Sequence, residues 1–254
     1  MIFYFTATGN SLYVSKQLDE ERRSIAQAIH DQNKHYSYEK IGIVCPIFGH
    51  EVPPLVKEFM ESSVFETDYF YMILTYGNRH ANAAELAEKL CKKLNIAVDY
   101  INVILMVDNF LPAFDMEEQK KIDKHVEEQI ELIKEDLEER KEWIMPATKS
   151  DRAAHEEFLS RMKKMPQNDV LHAYYITEDC IGCGICEKIC PKGCFKVEDQ
   201  KSNQDPKGCI MCMACIHACP TKAIQMNMPE KNKNARYRNE NISICEIIDA
   251  NIQR

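Results

Sequence analysis

At 254 residues the chain is long for one domain and comfortable for two, and its 45% hydrophobic content is enough to build a packed core. A net charge of −8 with no large basic block argues against nucleic acid as a partner. The first apolar run is broken at Thr6 with no basic region before it, so a signal peptide is not expected. The longest later run, about 101–107, falls far short of the ~20 residues of a membrane span. The expected location is the cytoplasm, where 12 cysteines point to metal rather than to disulfides.

In chain order, residues 2–5 read as a short buried strand. They run into Thr6, Ala7, Thr8, Gly9, Asn10 and Ser11, and a helical pattern follows through Leu12, Val14 and Leu18. A strand, a small polar loop and a helix N-terminus make an anion site, because backbone N–H groups and hydroxyls converge there and the helix dipole adds attraction. The loop is neither a Walker A motif nor a G-x-G-x-x-G turn, and taken alone an ordinary capping cluster explains it equally well. Segment 25–29 is a candidate second strand. Segment 40–46 (KIGIVCP) is a stronger one, ending in the loop Pro46, Ile47, Phe48, Gly49, His50, Glu51 before a helix over 55–62. The apolar strand 69–74 ends at Thr75, Tyr76, Gly77 and Asn78. A helix over 83–94 and a strand over 96–107 follow. Strands that alternate with helices imply a parallel sheet covered on both faces, with ligands held beyond the carboxyl ends of the strands. All three loops follow strands and share that edge.

These first hundred residues or so resemble a flavodoxin. Thr6 to Ser11 match the family's T-x-T-G-x-[TS] loop, with serine in the last place. The resemblance implies that this loop holds the phosphate of FMN. It also implies that Pro46, Ile47, Phe48 and Gly49, with Thr75, Tyr76, Gly77 and Asn78, hold the isoalloxazine ring, Phe48 and Tyr76 flanking it and the Gly49 peptide bonding the flavin N5. Either aromatic could instead simply cover the sheet end. The sequence departs from the family at His50, where an acidic residue is common; a solvated loop histidine is the plain reading.

Residues 109–116 read as a loop containing Pro112. Residues 117–143 read as one charged helix with Ile122, Val126, Ile130, Ile133 and Leu137 on a single stripe and Trp143 capping the packing. Pro146 breaks it, and a second helix over 151–165 ends at Pro166. These helices are taken as the bridge between domains.

A strand over 170–176 leads into the most specific pattern in the chain. Cys180, Cys183, Cys186 and Cys190 precede Pro191; Cys209, Cys212, Cys215 and Cys219 precede Pro220. Each run is C-x2-C-x2-C-x3-C-P, the ligand run of a bacterial two-cluster ferredoxin. Three thiolates on a tight loop reach three irons of one cube, and the fourth, turned away ahead of a proline, ligates the other. One [4Fe–4S] cluster is therefore assigned to Cys180, Cys183, Cys186 and Cys219, and the second to Cys209, Cys212, Cys215 and Cys190. Gly182 and Gly184 let the backbone wrap a bulky group. Zinc sites favour separated pairs rather than runs of four. Short strands are expected at 196–198 and 223–226. Of the remaining cysteines, Cys45, Cys91 and Cys245 read as structural or incidental, and Cys194 as a neighbour of a cluster. The tail over 229–240 reads as a solvated polar loop, with docking of an acidic partner or cover of the flavodoxin half as alternatives, and 242–248 as an apolar segment packed back on the body.

The whole chain resembles a group of flavodoxin–ferredoxin fusion proteins, and Arg236, Tyr237, Arg238 and Asn239 are similar to a tail motif of that group. The resulting expectation is an α/β fold with a flavodoxin-like doubly wound parallel sheet, plus a small α+β two-[4Fe-4S] ferredoxin domain. Its parts are a core over 1–109, a helical bridge over 110–169, a cluster domain over 170–228 and a tail over 229–254. The expected function is low-potential electron transfer between two [4Fe-4S] clusters and FMN, serving redox partner proteins. Two alternatives stand: a flavoenzyme reducing a quinone or nitro compound, and an iron–sulfur protein whose flavodoxin-like half is an empty docking module.

Overall fold

The computed structural model describes residues 1–164 and 173–252. Its N-terminal half is a parallel sheet of six strands: β1 (Ile2–Tyr4), β2 (Arg22–Ser24), β4 (Lys40–Pro46), β6 (Tyr69–Tyr76), β7 (Tyr100–Leu105) and β8 (Trp143–Ile144). They lie in the order β2-β1-β4-β6-β7-β8, every pair parallel. This is the doubly wound order of flavodoxin-like sheets, with one short strand added at an edge. The strand order reverses between β1 and β4, so the loops after those strands flank the switch point.

Both faces of the sheet are buried, which is why β6 reads as an unbroken apolar run. Phe3, Ile41, Ile43, Phe70 and Met72 face α3 (Pro54–Ser62) and α4 (Ala83–Lys93). Tyr4, Val44, Tyr71, Ile73 and Tyr100 face α1 (Asn10–Leu18) and α6 (Val126–Glu138). That second cluster of apolar side chains runs without a break into the cysteine-rich C-terminal part, through Ile189, Ile216, Tyr237 and Ile247.

The C-terminal part has two two-stranded antiparallel sheets: β9 (Tyr174–Ile176) pairs with β12 (Ile224–Met226), and β10 (Phe195–Glu198) forms a hairpin with β11 (Lys201–Gln204). Two short helices, α8 (Ile185–Ile189) and α9 (Ala214–Ala218), follow the cysteine loops. The chain ends in α10 (Ile244–Asn251), which starts with a full capping box between Ser243 and Glu246 and packs on α8, on β2 and on α2 (Ile25–Ala28). Among the described residues no helix is long and apolar enough to cross a membrane.

Several elements differ from expectation. The second strand is Arg22–Ser24, and 25–28 is helical because the Ser24 hydroxyl accepts the Ala26 amide and caps a helix. The helix expected over 117–143 is two, α5 (Met116–Gln119) and α6. Asp123 accepts the His125 amide, and His125 adopts a positive φ between them. Trp143 is not a helix cap but part of edge strand β8. The strand expected over 96–107 is confined to Tyr100–Leu105. A parallel pair, β3 (His35–Ser37) with β5 (Val64–Glu66), was not anticipated. Helix α7 (Lys149–Lys164) occupies the expected second bridge. Met165, Pro166, the proposed boundary near 166–170 and the strand start at Val170 lie outside the described residues.

Candidate metal centre and the covered loop

Each cysteine run folds as a loop, one turn of helix and a proline. Residues 182 and 184 take positive φ as glycines. In the second run Met211 and Met213 stand at the corresponding places with φ 52 and 64. A side chain is disfavoured there, so the loop shape is imposed by what it surrounds and not by glycine alone. Cys190 and Cys219 leave the helical region at the ends of α8 and α9, just ahead of Pro191 and Pro220.

The eight sulfurs form two groups. Cys180, Cys183 and Cys186 line one void together with Cys219. Cys209, Cys212 and Cys215 line the other together with Cys190. Each fourth cysteine has thus crossed to the other run. Backbone amides point at the crossing sulfurs in the same way in both halves: Cys194 N–H donates to Cys190 Sγ at 3.2 Å, and Ala223 N–H to Cys219 Sγ at 3.2 Å. Ser202 adds its amide to Cys180 Sγ at 3.4 Å and its hydroxyl to Cys186 Sγ at 3.1 Å. A thiolate bound to one iron of a cluster still accepts such bonds, and the four-thiol donor set around a void, not a point, fits a cube. Burial pushes the thiols of Cys212 and Cys215 well up, so their thiolate forms need a metal charge beside them. The first void is the more open: Cys183 is exposed and Ile181 beside it is 63% exposed.

The loop proposed for a phosphate lies at the switch point but beneath the chain's own tail. Thr6, Thr8 and Ser11 are buried. The Ser11 hydroxyl lies 2.9 Å from that of Thr75, and Asn109 Nδ2 donates to Thr8 Oγ1. Asn239 N–H donates to the Thr8 carbonyl at 2.8 Å, Tyr237 O–H to Asn10 Oδ1 at 2.6 Å, and Asn251 Nδ2 to the Thr6 carbonyl at 3.1 Å. A Cβ on Gly9 would stand 2.9 Å from Cβ of Asn239, so only glycine admits the tail this closely. Each of these tail bonds runs from a tail donor to a loop acceptor; none answers the amide donors of the loop.

The expected ring-binding loops do not form a slot. Pro46 and Ile47 stay on the sheet edge, the Ile47 amide bonding the Thr75 carbonyl. Phe48 turns onto Phe5, edge to face with centroids 6.2 Å apart. Phe158 of α7 lies 2.8 Å from the Cβ position of Gly49, and His50 packs between Phe158 and His155 rather than in solvent. Tyr76 meets His80, and Asp108 fills the space beside Gly77. Arg152 bonds Glu85, so α7 bridges from the 46–51 loop to α4, across the side where a flavin ring was expected. Phe158 of α7 thus stands against Gly49 and the tail covers the 6–11 loop, the two places that the resemblance gives to FMN.

The family description of a 4Fe-4S dicluster domain matches residues 179–223. A 7Fe ferredoxin of Hydrogenibacillus schlegelii is 38% identical over 71 residues, 26% of this chain and 91% of that protein. The chain belongs to the ferredoxin family. This ferredoxin is also 45% identical over 47 residues to one component of an ion-translocating oxidoreductase complex of Methanosarcina acetivorans, covering 18% of each chain, so it spans under a fifth of that relative. The N-terminal sheet is similar to a putative flavoprotein from Bacteroides uniformis at a TM-score of 0.33 and 20% identity, over 41% of this chain and 90% of that one, a likeness too slight to carry an argument. Electron transfer through a 4Fe-4S dicluster domain is thus the activity of the ferredoxin's C-terminal part. Tyr174 and Ser202, which line the two voids, escaped the sequence reading because they carry no local signal. That the tail covers the sheet half is one of the readings the sequence offers; its bonds to Thr6, Thr8 and Asn10, over two hundred residues away in the chain, are not legible there.

Proposed function

We propose that this ferredoxin is a one-electron carrier in which Cys180, Cys183, Cys186 and Cys219 hold one [4Fe-4S] cluster and Cys209, Cys212, Cys215 and Cys190 hold the other. The reciprocal crossing of Cys190 and Cys219 carries the reading. When bound, the clusters accept and release single electrons. The chain's own part is to supply thiolates, to aim amides at their sulfurs and to exclude water with Ile189, Phe195, Ile216 and Ile224, all buried. The exposed flank at Ile181 and Cys183 is the side we assign to redox partner proteins.

FMN, expected from the resemblance, is left out of the path. The strand–loop–helix turn over 6–11 favours an anion there, but Phe158 and Asn239 would have to leave for a flavin to enter. The sheet half is then a scaffold that the cluster part is locked to. We divide the chain accordingly, with the first five strands of the sheet over 1–109, a bridge over 110–169 that also carries edge strand β8, the cluster part over 170–228 and the tail over 229–254. Anaerobic purification followed by iron, sulfide and flavin analysis tests this. About eight irons and eight sulfides per chain without FMN are expected. Iron near zero overturns the cluster reading, and stoichiometric FMN overturns the scaffold reading.

A further inference from the structure

The two cysteine sites are copies of one another, and so each is a control for the other. Ile181, Cys183, Ile185 and Cys186 line the first void where Ile210, Cys212, Ala214 and Cys215 line the second; Ala223 and Ile224 stand where Cys194 and Phe195 do. The pseudo-symmetry breaks at two polar places. Beside the second void, Cys194 replaces the methyl of Ala223. Also there, Tyr174 lines the wall that Val197 and Ser202 make at the first.

Both groups carry a proton and line the second void. Tyr174 is 6% exposed. Its hydroxyl has no hydrogen-bond partner placed to take its proton among the described residues, although the Met213 amide approaches its oxygen. It lines the void together with Cys209, Cys212 and Cys215. A buried hydroxyl left without an acceptor is costly, so such a group signals an acceptor that belongs there. The Cys194 thiol is 3.8 Å from the carbonyls of Lys192 and Lys207, long contacts, and within reach of the sulfurs of Cys190 and Cys209.

We propose that Tyr174 and Cys194 are tuning residues which donate O–H and S–H hydrogen bonds to the sulfurs of the second cluster and so make the two clusters unequal in potential. The inference rests on the two-cluster reading. A donor aimed at a sulfur stabilises the reduced cluster more than the oxidised one, since the reduced cluster carries one more negative charge. Taking the donor away therefore lowers the midpoint of that cluster and leaves the other where it was. Ser202 serves the first cluster in the same sense, through Cys186.

The test is an EPR-monitored redox titration of the intact, iron-loaded chain and of Tyr174→Phe, Cys194→Ala, Cys194→Ser and Ser202→Ala. Cys194→Ala copies the residue already present at 223, so the fold tolerates it. Tyr174→Phe and Cys194→Ala should each lower the same one of the two midpoints. Their combined effect should approach a tenfold change in the electron distribution between the clusters, about 59 mV for one electron. Cys194→Ser, which keeps a donor, should recover most of its share, and Ser202→Ala should lower the other midpoint. Unmoved midpoints, or Tyr174→Phe shifting both equally, overturn the inference. A wild-type iron content of about four or fewer per chain instead removes the two-cluster reading itself, before any titration is run.

Discussion

Gly42 has a methyl group's worth of space already taken. The Tyr71 ring from the neighbouring strand lies 2.2 Å from where its Cβ would stand, and Tyr71 is buried against the α1 side of the sheet. Gly42→Ala therefore overpacks the core and should lower stability by about 1–3 kcal/mol, read as a fall in the urea midpoint of the sheet half. At the metal centre the residue scale separates ligands from bystanders. Cys183→Ser should cut iron from about eight to about four per chain and remove one EPR signal, whereas Cys245→Ser, on the exposed side of α10, should leave both unchanged. The eight clustered cysteines were legible in the sequence because the spacing alone imposes the chemistry. Cys194 was legible only as a neighbour, and Tyr174 not at all, since a hydroxyl's lack of a partner exists only once the chain has folded.

Elements with a strong period or a fully apolar run were readable: β4, β6, α3, α4 and the stripe Ile130, Ile133, Leu137 of α6. Elements that tertiary pairing creates were not. β8 has two residues, and it is a strand because Trp143 and Ile144 pair with Tyr100 and Ile101. A run of good helix formers hid the break before α6, which Asp123 and His125 make locally. What covers the loops expected to hold flavin was hidden for the same reason: the loops are strand ends, as expected, but Phe158 of α7 and the tail come to them from far along the chain. The tail helix is fastened electrostatically as well. Lys16 lies 2.7 Å from Glu246, and Glu246 is held at a pKa of about 2 chiefly by that bond, then by the Ser243 amide and hydroxyl. Its folded pKa lies below the unfolded value, so the stability it adds is complete above about pH 4.5 and is lost as pH falls toward 2. The pair is partly exposed, which limits it to about 1 kcal/mol or less. Glu246→Gln keeps the capping box and loses the charge. Amide exchange over 244–251 should accordingly be faster than wild type at pH 6 and should converge with it as pH falls below 4.5.

At the scale of the molecule, the cluster part and the sheet share one apolar core and one set of ties. His217 of α9 bridges them. Its Nε2–H donates to the Asn109 carbonyl at 2.8 Å, and its Nδ1 accepts the Tyr237 amide at 3.1 Å. Arg236 fixes the tail to the cluster part through the Ile216 carbonyl, and within the tail it forms a buried ion pair with Glu230 at 2.9 Å. Ser24 and Gln27 then donate to the Ala250 and Asp249 carbonyls at the far end of α10. A chain of such ties transmits a loss at one end to the other. Removing iron leaves buried thiols around two voids without the charge that held them, and binding that stabilises only the folded state is lost with its ligand. The cluster part should loosen first, then the tail, and with the tail the cover over loop 6–11. Hydrogen exchange after anaerobic chelation should therefore rise in 180–220, in 237–251 and in 6–11 together, while 41–45 and 70–74, deep in the sheet, keep their protection. Exchange confined to 180–220 would mean that the tail's hold on the loop stands without the cluster part, and that the two halves are only neighbours.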